Sequence, residues 1–150
     1  MDDSPVLICY DGSEGARNAI TAAAALLVGR GAVILNVGPL ALVAEAYAAA
    51  GSGAADLDRR AHADALVLAD EGAELAREAG FRAEARARLD TPTWRGVVSI
   101  ADEIGATAIV LGSRGLTGVH ELVEGSLWHE VAQHARRPVL IVPPNEPALS

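Results

Sequence analysis

The sequence predicts an α/β domain: an open, five-stranded parallel sheet in the order 3-2-1-4-5, with helices on both faces in the Rossmann-like or flavodoxin-like manner. Three observations carry the prediction. Four short runs are apolar, broken only by Asn36 in the second, and rich in β-branched residues, as strands buried on both faces read. Helical stripes of small and aliphatic residues alternate with those runs, and strand-helix alternation calls for a parallel sheet with crossovers. Two glycine-marked loops follow apolar runs, at the carboxyl ends where such sheets hold their ligands.

The first run, Pro5 to Tyr10, stops at the turn cluster Asp11-Gly12-Ser13. Ser13 or Asp11 then caps a helix whose inward stripe is Ala16, Ala19, Ile20, Ala23 and Leu27, and which ends between Gly29 and Gly31. Ala32 to Val37 is the second strand. From Gly38 to Asp58 the pattern weakens into an Ala- and Gly-rich stretch, read as a long, partly helical loop with a mobile segment. Arg59 to Ala79 is the clearest helix, with Ala61, Ala65, Leu68, Gly72 and Ala76 on one side and Asp64, Glu71, Glu74 and Glu78 on the other. Phe81 to Leu89 places Arg82, Glu84, Arg86 and Arg88 on one parity, which predicts an edge strand with one wet face. Thr91 as N-cap and Pro92 as first helical residue open a helix through Trp94, Val97, Ile100 and Ile104 to Gly105. Ala108 to Leu111 is the fourth strand. Leu127, Val131 and Ala135 form the stripe of a last helix, closed by Arg136 and Arg137 where cations suit its negative end, and Pro138 to Val142 is the last strand.

The 150 residues fit one domain spanning 1–150. With 51% hydrophobic and 21% charged residues, the chain holds one real core and is not disordered. Its net charge is -8, and all 12 basic residues are arginines. The absence of lysine excludes a P-loop lysine, a Schiff base and a kinase-type phosphate lysine. Without a basic run there is also no electrostatic footprint for nucleic acid, so no such partner is expected. Cys9 is the only cysteine, which excludes an internal disulfide, a zinc knuckle and a CxxC pair, and a cytoplasmic, reducing setting is expected. No positive n-region precedes an apolar stretch, and no window approaches about 18 uninterrupted apolar residues, so neither export nor a membrane partner is expected.

The chemistry concentrates after the fourth strand. Gly112, Gly115 and Gly125 followed by Ser126 have the spacing G-x2-G-x9-G-S. Gly112 and Gly115 let backbone turn sharply and approach phosphate oxygens, while Gly125-Ser126 stands where the last helix presents free amides and its positive dipole end. Neutral donors thus take the place of the missing lysine, and the ligand site is expected between this loop and Asp11-Gly12-Ser13.

These segments resemble the universal stress protein family over essentially the whole chain: Val6 to Glu14 at the start, Ala108 to Gly115 in the middle, and Gly125-Ser126 with Arg137 to Val142 at the end. In that family the glycine spacing marks members of the ATP-binding type. The resemblance implies an ATP site, with Mg2+, in which Asp11 holds the ribose or sits near the phosphates and Val37 contacts adenine through its backbone. Gly112, Gly115, Gly125 and Ser126 would wrap the phosphates, with Ser113 and Arg114 in the same loop. It also implies a homodimer through the last strand, Val139 to Val142, and a nucleotide-dependent regulatory role in stress or growth arrest with an unknown protein partner. Two departures stand out: Tyr10, where the family usually carries a small or aliphatic residue, and the carboxylates of Glu121 and Glu124 inside the nine-residue segment.

Plainer readings stand beside these. Asp11 also reads as a helix cap, a role compatible with the first, and the glycines also read as turns. His120 and Glu124, four apart, lack a third metal ligand and read as solvated surface. Trp94 and Trp128 read as core or interface residues, and Cys9 as an inert core thiol. No G-x-S-x-G elbow or nucleophile beside a base appears, so the chain is expected to bind rather than to catalyse. The alternatives are a weak ATPase or nucleotidyl-transfer domain, and a structural homodimer whose glycine loop holds nothing.

Overall fold

The computed structural model describes residues 3–27, 29–38, 54–113 and 126–144. Among the described residues nine elements alternate: β1 (Val6–Cys9), α1 (Glu14–Leu27), β2 (Gly31–Gly38), α2 (Ala54–Glu78), β3 (Arg82–Leu89), α3 (Thr93–Ile104), β4 (Ile109–Gly112), α4 (Leu127–His134) and β5 (Val139–Val142). The strands form one sheet in the order β3-β2-β1-β4-β5, and every neighbouring pair is parallel. Central β1 is paired on both sides, Leu7 lying opposite Val33 of β2 and opposite Ile109 of β4.

Alternate side chains of a strand point to opposite faces, and this divides the core into two layers. Val6, Ile8 and Tyr10 pack with Ile34 of β2, with Ala16, Ala19 and Ile20 of α1, and with Ala73 and Ala76 of α2. Leu7 packs on the other face with Val33, Leu35, Ile109 and Leu111, beneath Val97 and Ile100 of α3 and Val131 of α4. Alanine dominates the first helical layer, so α1 and α2 lie close on the sheet.

Four details differ from the sequence reading. Helix α2 starts at Ala54 rather than Arg59, because Asp56 stands in its first turn and pairs with Arg59 one turn on. The rest of the expected loop, 39–53, lies outside the described residues. Pro92 is the N-cap of α3, extended at φ -72 and ψ 162, and Thr93 is the first helical residue; Thr91 therefore does not cap. Arg136 adopts φ 55, turning the chain out of α4, and Arg137 serves a different helix from the one expected. Its Nη2 donates to Asp102 Oδ1 at 2.7 Å and its Nη1 to the Ala106 carbonyl at 2.5 Å, so the cation sits at the carboxyl end of α3. Finally, β3 is an edge strand as predicted, but its charged face is partly roofed. Arg88 donates to Ser99 at 2.8 Å and to both oxygens of Glu103, and Arg86 also reaches Glu103, all from α3.

Trp94 and Trp128 lie partly buried against the second core, and Trp94 stacks on His134 at 3.9 Å between ring centroids, tying α3 to α4. Among the described residues, no helix is long and apolar enough to cross a membrane.

Candidate functional site

After β1 the chain builds β2 and β3 toward one edge, then returns to build β4 and β5 toward the other. The strand order therefore reverses between β1 and β4, and helices leave the two strands on opposite faces, opening a crevice at their carboxyl ends. A cleft of about 470 Å³, open solvent at its mouth included, lies there. Cys9, Leu35, Val37, Val97, Leu111 and Leu127 give it apolar walls, while Asp11, Ser13, Asn36 and Thr93 supply polar atoms.

Asp11 and Ser13 divide the two roles the sequence left open. Ser13 Oγ accepts the Ala16 amide at 3.1 Å and so caps α1. Asp11 Oδ1 accepts the Ser13 amide at 2.9 Å, closing the turn, and among the described residues no donor is bonded to its second oxygen. Val37 lies in the cleft wall, set there by α3: a Cβ on Gly96 would come within 2.9 Å of Val37 Cγ1 and 3.1 Å of Asp90 Cβ. Gly96 thus permits the approach that walls this side.

Gly112 ends β4 at the cleft. Ser113 extends the strand pairing, its amide donating to the Val142 carbonyl at 2.9 Å, so that amide is spent on the sheet. Ser126 is the N-cap residue of α4, but its side chain forms no capping bond. The Ser126 hydroxyl is therefore not consumed by its own helix. Arg114, Gly115, Gly125, His120, Glu121 and Glu124 lie outside the described residues.

Tyr10 borders the cleft, yet its ring belongs to the α1–α2 layer. Its hydroxyl donates to Glu71 Oε1 at 2.7 Å, and Arg17 reaches the same oxygen at 3.4 Å. Burial, and then the hydrogen bond to Glu71, push the Tyr10 phenol up to about 12. The departure at position 10 is thus spent on anchoring β1 to α2. Burial also pushes the Cys9 thiol up to about 12, with the Asp11 carboxylate adding to the shift, so the cleft floor holds a neutral thiol.

The sequence reading missed Asn36, Thr93, Val97, Leu111 and Leu127 as cleft residues. For the aliphatic side chains nothing in the sequence separates a cleft wall from ordinary core. Asn36 did carry a signal: it is a polar residue inside an apolar run.

Residues 4–143 match the universal stress protein family. The chain belongs to this family. Universal stress protein YxiE of Bacillus subtilis (strain 168) is 37% identical over 79 residues, 53% of this chain and 53% of that protein, so the match spans about half of either. Among solved structures, hypothetical protein MJ0577 superposes with TM-score 0.78 at 21% identity, over 98% of this chain and 100% of its own. A universal stress protein in complex with cAMP gives 0.67 at 23%, over 97% of this chain and 100% of its own. One from Archaeoglobus fulgidus in complex with dAMP gives 0.64 at 23%, over 95% and 99%. At these identities the structures establish the shared fold. The five-stranded parallel fold of this universal stress protein is thus shared with solved structures, and the crevice between β1 and β4 is lined by its own residues.

Proposed function

We propose that this universal stress protein binds ATP with Mg2+ in the cleft and acts as a nucleotide-dependent regulator in the cytoplasm during stress or growth arrest. The observation that carries the reading is the placement of a half-apolar cleft at the switch point of the sheet, between a free carboxylate oxygen on one side and the start of α4 on the other. An apolar wall suits a purine, a carboxylate suits ribose hydroxyls or a divalent ion, and a helix start suits phosphate. Solved relatives in complex with cAMP and dAMP support an adenine nucleotide as the ligand class. In this reading Mg2+ would neutralise phosphate charge beside Asp11. The chain's own part is to bind and orient, and we place turnover as slow or absent, since phosphoryl transfer needs cations aimed at the reacting phosphate and the described lining supplies a carboxylate, hydroxyls and an amide.

Titration calorimetry with ATP and Mg2+ is expected to give one saturable site per chain in the micromolar range, and mass spectrometry of freshly purified, denatured protein to detect released adenine nucleotide. A flat titration at millimolar nucleotide overturns the reading.

We further propose that two copies pair through β5. Among the described residues this strand is paired only with β4, and Val139, Leu140 and Ile141 are half-buried, which puts apolar side chains at the edge of the described sheet. Sedimentation velocity is expected to give twice the mass of 15.4 kDa, and a monomer at micromolar concentration sinks the pairing without touching the nucleotide site.

A further inference from the structure

The β1 and β2 strands stop pairing at the cleft, and one side chain stands at that fork. They are in register from Val6 opposite Ala32 to Cys9 opposite Leu35, and the Tyr10 amide still donates to the Leu35 carbonyl at 2.9 Å. Beyond this β2 runs on against β3 alone, paired as far as Gly38 opposite Leu89. In a parallel ladder the N–H and C=O of one residue point to the same neighbouring strand, and those of the next residue point to the other. Leu35 faces β1, while Gly38 faces β3, its carbonyl accepting the Asp90 amide at 3.0 Å, so the Val37 backbone faces β1. The next rung of the ladder would be the Val37 amide on the Tyr10 carbonyl. That rung is missing. Among the described residues the Val37 amide has no backbone partner, and the Tyr10 carbonyl accepts Asn36 Nδ2 at 2.9 Å instead. By strand parity the Asn36 side chain shares the face of Ile34 and Tyr10, away from the apolar cleft wall, and at 7% exposure it is the one buried polar side chain among the described residues. A buried amide must find a partner, and it takes the carbonyl that the ladder would otherwise use.

We propose that Asn36 is a positioning residue for the cleft: its side-chain amide occupies the Tyr10 carbonyl, ends the β1–β2 ladder one rung early and so holds the fork between the strands open. It acts through Tyr10 and Val37, both of which line the cleft. The role concerns how the crevice is kept open, whatever occupies it, and only the binding measurement below rests on the nucleotide reading. With valine at position 36 the Tyr10 carbonyl loses its donor while the Val37 amide still lacks an acceptor. Two unpaired backbone groups on facing strands close on each other, because leaving both unmade costs more than the small movement. A β-branched apolar side chain also suits a strand packed on this face, so nothing opposes the added rung. The fork then zips shut by one residue, and the cleft loses a backbone donor and some of its width.

Amide hydrogen exchange, read residue by residue by NMR on the full chain, tests this. In the wild type the Tyr10 amide, bonded to Leu35, is expected to be protected about tenfold or more strongly than the Val37 amide. In Asn36→Val the protection of the Val37 amide should rise by about tenfold or more, and titration calorimetry should show ATP with Mg2+ binding about fivefold or more weakly. Replacing a residue that merely filled the core would leave the Val37 amide as exposed as before, or loosen it together with its neighbours, and either result overturns the assignment. Added protection at Val37 with ATP affinity unchanged overturns the positioning role as well. Equal protection of Val37 and Tyr10 in the wild type does the same, and that measurement needs no variant to fold. If the wild type binds no ATP, the nucleotide reading fails, and the exchange contrast still decides the role of Asn36.

Discussion

Ellman's reagent at pH 8 is expected to react with Cys9 in the folded protein roughly thirtyfold or more slowly than with the same thiol in urea. A thiol at about 12 holds roughly a thousandfold less thiolate at that pH than one at the ordinary value of 9.0. Its thiolate is also more nucleophilic, by about twentyfold for such a shift, which returns part of the loss. The more telling readout is the slope. The folded rate should keep climbing about tenfold per pH unit beyond pH 9, where an ordinary thiol levels off. A plateau near pH 9 would mean that the floor of the cleft is wetter than its geometry states. The same shift acts on stability. The unfolded chain loses the Cys9 proton from about 8.5 and the Tyr10 proton from about 10, while the folded chain keeps both to about 12. Their contribution is therefore intact below pH 8.5 and declines as pH rises toward 12, so the urea midpoint should fall between pH 8 and pH 10.5.

Gly72→Ala is expected to destabilise the protein by about 1–3 kcal/mol, lowering Tm by roughly 3–10 °C, although alanine is the better helix former by about 1 kcal/mol. Gly72 sits where α2 crosses the carboxyl halves of β1 and β2. An added Cβ would lie 2.7 Å from Ile34 Cγ2, 2.7 Å from Tyr10 Cγ and 2.8 Å from Tyr10 Cδ2. Neither neighbour yields cheaply. Ile34 is fully buried in a paired strand, and the Tyr10 ring, 2% exposed, is pinned at its far end by Glu71, the residue before Gly72. Moving the ring therefore breaks its hydrogen bond. Tyr10→Phe removes the pin, so the double substitution should cost less than the sum of the singles. Thermal melts of the four proteins measure this, and a Tm for Gly72→Ala equal to or above the wild type would refute the close approach of α2.

Much of the fold was legible because each strand buried on two faces must be apolar throughout. The runs around Leu7, Ile34 and Val110 read this way without knowledge of their neighbours, and the run around Ile141 reads the same although β5 is a half-buried edge strand. The edge position of β3 was legible for the complementary reason, since the alternation of arginine and glutamate with alanine leaves only one apolar face. Of the cleft, Gly112 was legible from the glycine spacing and Asp11 from the turn that ends the first run, Val37 only through the family resemblance, and all three line it. Thr93 and Leu127 were not legible, because their place depends on how α3 and α4 lean against the sheet.

By itself, then, the sequence determined the alternation of elements, the parallel sheet, the family, and the end of the sheet where the cleft lies. These follow from local periodicity and turn chemistry, which act over a few residues. The tertiary structure alone decided how polar side chains were spent: Tyr10 on Glu71, Arg137 on α3 rather than on its own helix, Ser113's amide on β5, and one half of the Asn36 amide on Tyr10. The reason is physical. A buried donor or acceptor must find a partner, and the partners here lie as far as 61 residues away along the chain, where no local pattern reaches.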